Sequence, residues 1–165
     1  MLTETDLRFL RRCVELAQEA LEAGDEPFGS VLVSGDGAVL AEERNRIHTA
    51  ADPTQHPEFL LAQWAARNLT PEERAAATVY TSGEHCPMCA AAHGWVGLGR
   101  IVYATSSEQL AAWRKELGAV PPAVAPLPVQ KVLPGIEVAG PAPELADAVR
   151  ELHRRLIERR RGGGE

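Results

Sequence analysis

Leu7, Leu10, Val14, Ala17 and Leu21 recur every three or four positions, so residues 3–23 are predicted as an amphipathic helix. Thr3 or Thr5 is placed to cap its start and Gly24 its end. Val31-Leu32-Val33-Ser34 is a short apolar run, Gly35-Asp36-Gly37 a turn, and 38–43 the returning arm of a hairpin. Residues 57–68 return to helical spacing, with Phe59, Leu60, Ala62, Trp64 and Ala65 on the core side, and a short helical turn follows Pro71. Strands are predicted at 78–81 and 101–104, with a weaker one at 136–138. Helices are predicted from Pro87 to about Val96, over 108–117, and from Pro143 or Glu144 to about Arg160. Leu145, Val149, Leu152 and Leu156 form the inward stripe of the last helix, and a Pro-rich loop (Pro121, Pro122, Pro126, Pro128) precedes it.

A hairpin followed by alternating strands and helices predicts an α/β fold: a three-layer α-β-α sandwich around a five-stranded mixed sheet. The helix between the fourth and fifth strands permits a crossover, so those strands are expected to be parallel. One domain is expected over 1–160, with 161–165 as a disordered tail. The 165 residues and 45% apolar content are enough for one sizeable core.

Charge sharpens the picture. The net charge of −6 argues against a general nucleic-acid binder. Residues 150–165 carry six Arg against three Glu, which leaves the body at −9 and the tail at +3. No apolar run is long enough to span a bilayer, and the first twelve residues lack the apolar segment of a signal peptide, so a cytoplasmic location is expected. Three Cys (13, 86, 89) do not make a disulfide framework. Cys13 borders an apolar stripe and is expected in the core. His48 and His153 are expected to be solvated or boundary residues.

Cys86 and Cys89 lie three apart at a helix start, and His56 precedes the other helix. One His and two Cys are zinc ligands, and three protein ligands leave a fourth position open for water. Helix N-termini favour the thiolates that bind metal. Glu58, two residues past His56, is placed to move protons. An alternative remains open: His93 with Cys86, Cys89 and His56 would make a closed, structural cage.

Pro27-Phe28-Gly29-Ser30-Val31, Asn45, Asp52-Pro53-Thr54-Gln55-His56-Pro57-Glu58 and the run from Tyr80 to Ala90 (Tyr80-Thr81-Ser82-Gly83-Glu84-His85-Cys86-Pro87-Met88-Cys89-Ala90) resemble the cytidine/deoxycytidylate deaminase superfamily. Within it, the likeness is to the branch of guanine deaminases, cytosine deaminases and tRNA adenosine deaminases. The resemblance covers residues 5–105. Two positions depart from the family pattern: Pro57 stands where Ala is usual, and His85 where Pro is usual.

The resemblance implies one Zn2+ per chain on His56, Cys86 and Cys89, with Glu58 as the catalytic acid and base. It also implies substrate contacts from Asn45, Phe28 and the Ser30 backbone N–H. His85 is a further substrate contact or a solvated side chain, and Trp95 lines the pocket, the subunit contact or the core. The expected activity is hydrolytic deamination of a free nucleobase or related amino-heterocycle, guanine first, then cytosine-like or triazine rings, in purine metabolism. A small-molecule substrate and a homodimer are expected, and neither nucleic acid nor membrane. The alternative is a tRNA adenosine-to-inosine deaminase, favoured by the Arg-rich tail but not by its lack of stacking aromatics. A non-catalytic zinc scaffold would need only the closed cage.

Overall fold

The computed structural model describes residues 1–163. The elements are α1 (Glu4–Glu22), β1 (Gly29–Val33), β2 (Val39–Arg44), α2 (Pro57–Asn68), α3 (Pro71–Ala76), β3 (Thr78–Gly83), α4 (Pro87–Val96), β4 (Ile101–Thr105), α5 (Ser107–Glu116), α6 (Val129–Val132), β5 (Val138–Ala139) and α7 (Pro143–Gly162). The sheet order is β2-β1-β3-β4-β5. β1 is antiparallel to β2 and β3, whereas β3, β4 and β5 are mutually parallel. The mixed five-stranded sheet is as expected, including its parallel β4–β5 pair.

Strand alternation builds the three layers. Val31, Val33, Tyr80 and Val102 face α1 and α7, where they meet Phe9, Leu10, Cys13, Leu16 and Val149. Leu32 and Val79 face the other way and pack on Leu61, Ala62 and Ala65 of α2. Gly29 lets α1 lie directly on β1: a Cβ there would stand 2.4 Å from the Leu16 Cβ. Thr3 caps α1 in a reciprocal box with Asp6. Asp6, 2% exposed, also pairs with Arg100 at 2.9 Å and accepts from the Tyr80 hydroxyl at 3.0 Å, which ties α1 to the sheet.

The last helix packs as its stripe requires. Leu152 and Leu156 meet Ala17 and Leu21 of α1. The helix continues to Gly162, so Arg161 and Gly162 are helical, while residues 164–165 of the expected tail lie outside the described residues. The Pro-rich loop holds a short helix, α6, that hydrophobic spacing alone did not reveal. His153 is buried, not at the boundary, because α7 lays it edge-on against Phe28 at 5.0 Å. No helix among the described residues is long and apolar enough to cross a membrane.

Candidate active site

The first turns of α2 and α4 bring three ligands together. His56 is the N-cap of α2 and Cys86 the N-cap of α4, and each helix carries Pro in its first turn. Pro57 therefore sits where its missing N–H costs nothing. Cys86 Sγ and Cys89 Sγ each lie 3.6 Å from His56 Nδ1 and 3.5 Å from each other. Zinc–ligand bonds of about 2.0–2.3 Å give tetrahedral edges of about 3.5–3.8 Å, so the donor set and its spacing fit zinc. Hydrogen bonding to Cys89, then to His56, holds the Cys86 thiol down at about 4 against the opposing effect of burial. That thiolate is ready for a metal.

His93 does not close the site. Its Nε2 bonds the Gly99 carbonyl at 2.7 Å at the far end of α4. Among the described residues, His56, Cys86 and Cys89 form the only group of three or more with metal-ligand geometry. A zinc ion held by these three side chains would have room for a fourth ligand such as water.

Glu58 is 6% exposed, and burial raises its pKa against the influence of His56 and Thr81. Its Oε2 lies 3.7 Å from Cys89 Sγ, and its Oε1 accepts a 2.7 Å hydrogen bond from the Thr81 hydroxyl. Ser30 Oγ stands 2.9 Å behind Thr81 Oγ1. His56, Cys86 and Glu58 open on a cavity of about 870 Å³. Its walls are Phe28, the loop at Pro53 and Thr54, α5 and the Pro-rich loop from Ala119 to Pro126. A cavity of this size is in the range of small-molecule sites.

The predicted site residues divide. Phe28 lines the cavity with His56, Glu58 and Cys86. Asn45 is buried and is not among the residues that line the cavity; its Oδ1 accepts from the Ile47 and Glu26 N–H groups at 3.1 and 3.4 Å, and its Nδ2 has no partner among the described residues. Ser30 is not brought to the cavity. It is buried in mid-sheet opposite Glu43 and Thr81, because β1 is an interior strand. His85 is likewise turned inward: fully buried, it packs edge-on at 5.2 Å against His93, and burial lowers its pKa so that it stays neutral. Trp95 is 92% exposed on the outer face of α4 and joins neither the cavity nor the core.

Sequence reasoning missed Thr81, Glu84 and the cavity wall. Alternation along β3 puts Thr81 on the α2 face with Val79, a signal that was available. Glu84 accepts from the Ser107 and Val129 backbone N–H groups at 2.7 and 2.6 Å, and so ties the Cys loop to α5 and α6. No local pattern points to that long-range role.

Residues 3–105 match the family described as the cytidine and deoxycytidylate deaminase zinc-binding region. A probable cytosine deaminase of Schizosaccharomyces pombe is 33% identical over 121 residues, 73% of each chain. A tRNA-specific adenosine deaminase of Haemophilus influenzae is 31% identical over 110 residues, 67% of this chain and 64% of that one. The structure of a guanine deaminase from Bacillus subtilis superposes with a TM-score of 0.57 at 31% identity, covering 77% of this chain and 83% of that one. The open His-Cys-Cys triangle, the mixed sheet that carries it and the match over residues 3–105 agree: this chain belongs to the cytidine and deoxycytidylate deaminase family and is a zinc-dependent hydrolytic deaminase.

Proposed function

We propose that the chain deaminates a free nucleobase or a related amino-heterocycle, guanine first and cytosine-like or triazine rings next. The observation that carries this reading is Glu58, buried beside the His56-Cys86-Cys89 triangle and facing a largely apolar cavity. Zinc held by these three side chains supplies an acidified water as nucleophile. Glu58 takes one proton from the attacking water and delivers it to the ring nitrogen, then takes the second from the hydroxyl added to the ring carbon and delivers it to the departing amine. Phe28 packs against the ring, and the free Nδ2 of Asn45 donates to a ring acceptor. The Pro-rich loop excludes bulk water. The C–N bond breaks and ammonia leaves.

Relatives that act on guanine and cytosine support a free-base substrate. So does the tail, five of whose six arginines are engaged with the protein. Arg160 pairs with Glu26 at 2.7 Å, Arg150 with Glu116 at 2.8 Å, and Arg159 donates to the Leu21 carbonyl. The similar match to a tRNA-specific adenosine deaminase favours a second reading, tRNA adenosine deamination. Comparing tRNA with free bases at two salt concentrations tests the choice. Ammonia from a free base, with tRNA inert, is the expected result. Salt-sensitive tRNA binding with adenosine-to-inosine conversion and inert free bases would establish the second reading.

We further propose a homodimer in the cytoplasm. The exposed Trp95 on α4 supports the former, and three free cysteines with no disulfide among the described residues support the latter.

A further inference from the structure

The cavity that holds the metal site also holds two cations that form no ion pair among the described residues. Arg114 and Lys115, in the last turn of α5, line it together with Glu26. Arg114 and Glu26 also line an adjoining cavity of about 430 Å³, shared with Arg160 and Arg161. They therefore stand where the two spaces meet.

Charge at this junction is unequal. The Glu26 carboxylate is taken by Arg160 at 2.7 Å. Arg161 donates to the Leu117 carbonyl. Of the other two carboxylates on the wall, Glu84 is occupied by two backbone N–H groups and Glu58 accepts from the Thr81 hydroxyl beside the metal ligands. His153, buried beside Arg114, is neutral: burial, then Arg114 itself, brings its pKa down to about 3. Arg114 has neither an ion-pair nor a hydrogen-bond partner among the described residues, and its Nε is buried without one. A chain of net charge −6 thus keeps two unpaired cations on the wall of its reaction cavity. A buried guanidinium N–H without an acceptor is costly, and the planar fork matches carboxylate and phosphate.

We propose that Arg114 is an anion-binding residue of the substrate site, and that the amino-heterocycle carries a carboxylate or phosphate which Arg114 holds with Lys115 beside it. This rests on the deaminase reading above, with the ring at the metal centre and its acidic substituent at α5. The cavity has room for both groups. The anion takes no part in bond breaking. Water adds to the ring carbon, the C–N bond breaks and ammonia leaves, while the Arg114 contact adds binding energy to the acidic substituent.

The test is ammonia release by the zinc-loaded full chain from matched pairs: cytosine and cytosine-5-carboxylate, pterin and pterin-6-carboxylate, cytidine and cytidine 5′-monophosphate. A tRNA arm supplies phosphate from a polymer. The acidic member of at least one pair should have a kcat/KM about 10-fold or more above its neutral partner, the scale of a charged hydrogen bond. Arg114→Met should erase that preference through KM with kcat kept, and Arg114→Lys should restore part of it.

Equal or better use of the neutral member in every pair would overturn the inference and leave the deaminase reading intact. A lower Tm in Arg114→Met with the acid preference unchanged would assign Arg114 to the end of α5 and overturn it too. Preference shown by tRNA alone would overturn the small-molecule assignment. Ammonia from no compound would contradict the deaminase reading itself. Calorimetric titration with the same compounds would then still decide Arg114. Tighter binding of an acidic member by the unmodified chain than by Arg114→Met supports the site, and equal affinities overturn it.

Discussion

The Thr81 hydroxyl donates to Glu58 Oε1 at 2.7 Å, from a strand in the middle of the sheet. The same oxygen lies 3.0 Å from the Gly83 carbonyl and accepts from Ser30 at 2.9 Å. One hydroxyl proton serves one acceptor at a time. Thr81 can therefore donate to an ionised Glu58, or accept from a protonated one and turn its own proton to Gly83. A rigid strand residue holds the carboxyl in place through both states. Thr81→Val should lower kcat about 10-fold, the scale of a hydrogen bond to a charged group, with KM and zinc content little changed. Thr81→Ser should recover most of the rate. Steady-state kinetics on the best substrate checks both.

Glu58→Gln keeps the volume and removes the proton carrier. It should retain zinc and fold yet lose at least about 10²-fold in kcat, the lower range for general acid–base catalysis. Near-native turnover would remove Glu58 from the mechanism.

Metal and fold are coupled here, because the ligands sit at the start of two core helices, α2 and α4. Cys86→Ala should lose zinc and lower Tm together. Metal analysis and a thermal scan of the same sample read both effects.

Asp6 gives a stability signature in acid. Burial works against its ionised form, but hydrogen bonds from Arg100 and Thr3 outweigh that and bring its pKa down to about 2. Its folded-state pKa lies below the unfolded value, so its stabilisation is fully present above pH ~4 and lost as pH falls towards ~2. The contribution is ~2 kcal/mol. Urea unfolding between pH 6 and pH 2.5 should show that loss in the unmodified chain, and Asp6→Asn should flatten this part of the profile.

Trp95 projects almost fully from α4 and is the residue to test for self-association. Sedimentation at micromolar concentration should show a dimer for the unmodified chain and a 17.8 kDa species for Trp95→Glu.

Elements whose signal is local were legible in the sequence. The α1 stripe, the hairpin around Gly35-Asp36-Gly37 and the two helix starts at Pro57 and Pro87 follow from spacing and turn chemistry. The metal triangle was legible because each ligand sits at a helix start within a short motif. What escaped depends on distant segments meeting. Ser30, His85 and Trp95 are near the motifs in sequence, yet Ser30 is covered by Thr81, His85 is buried against His93 and helix phase turns Trp95 outward. Glu84 acts on α5 and α6, and Arg114 meets the cavity only because α5 and the Pro-rich loop fold over it. Side-chain partners assembled by tertiary packing leave no periodic trace.

The most direct measurement is ammonia release by the zinc-loaded chain from guanine, cytosine and amino-triazines, before and after zinc is stripped by a chelator. Release from at least one of these rings, abolished by stripping and restored by zinc, is the predicted result. No release from any of them, or release that survives removal of the metal, would contradict zinc-dependent deamination of a free amino-heterocycle.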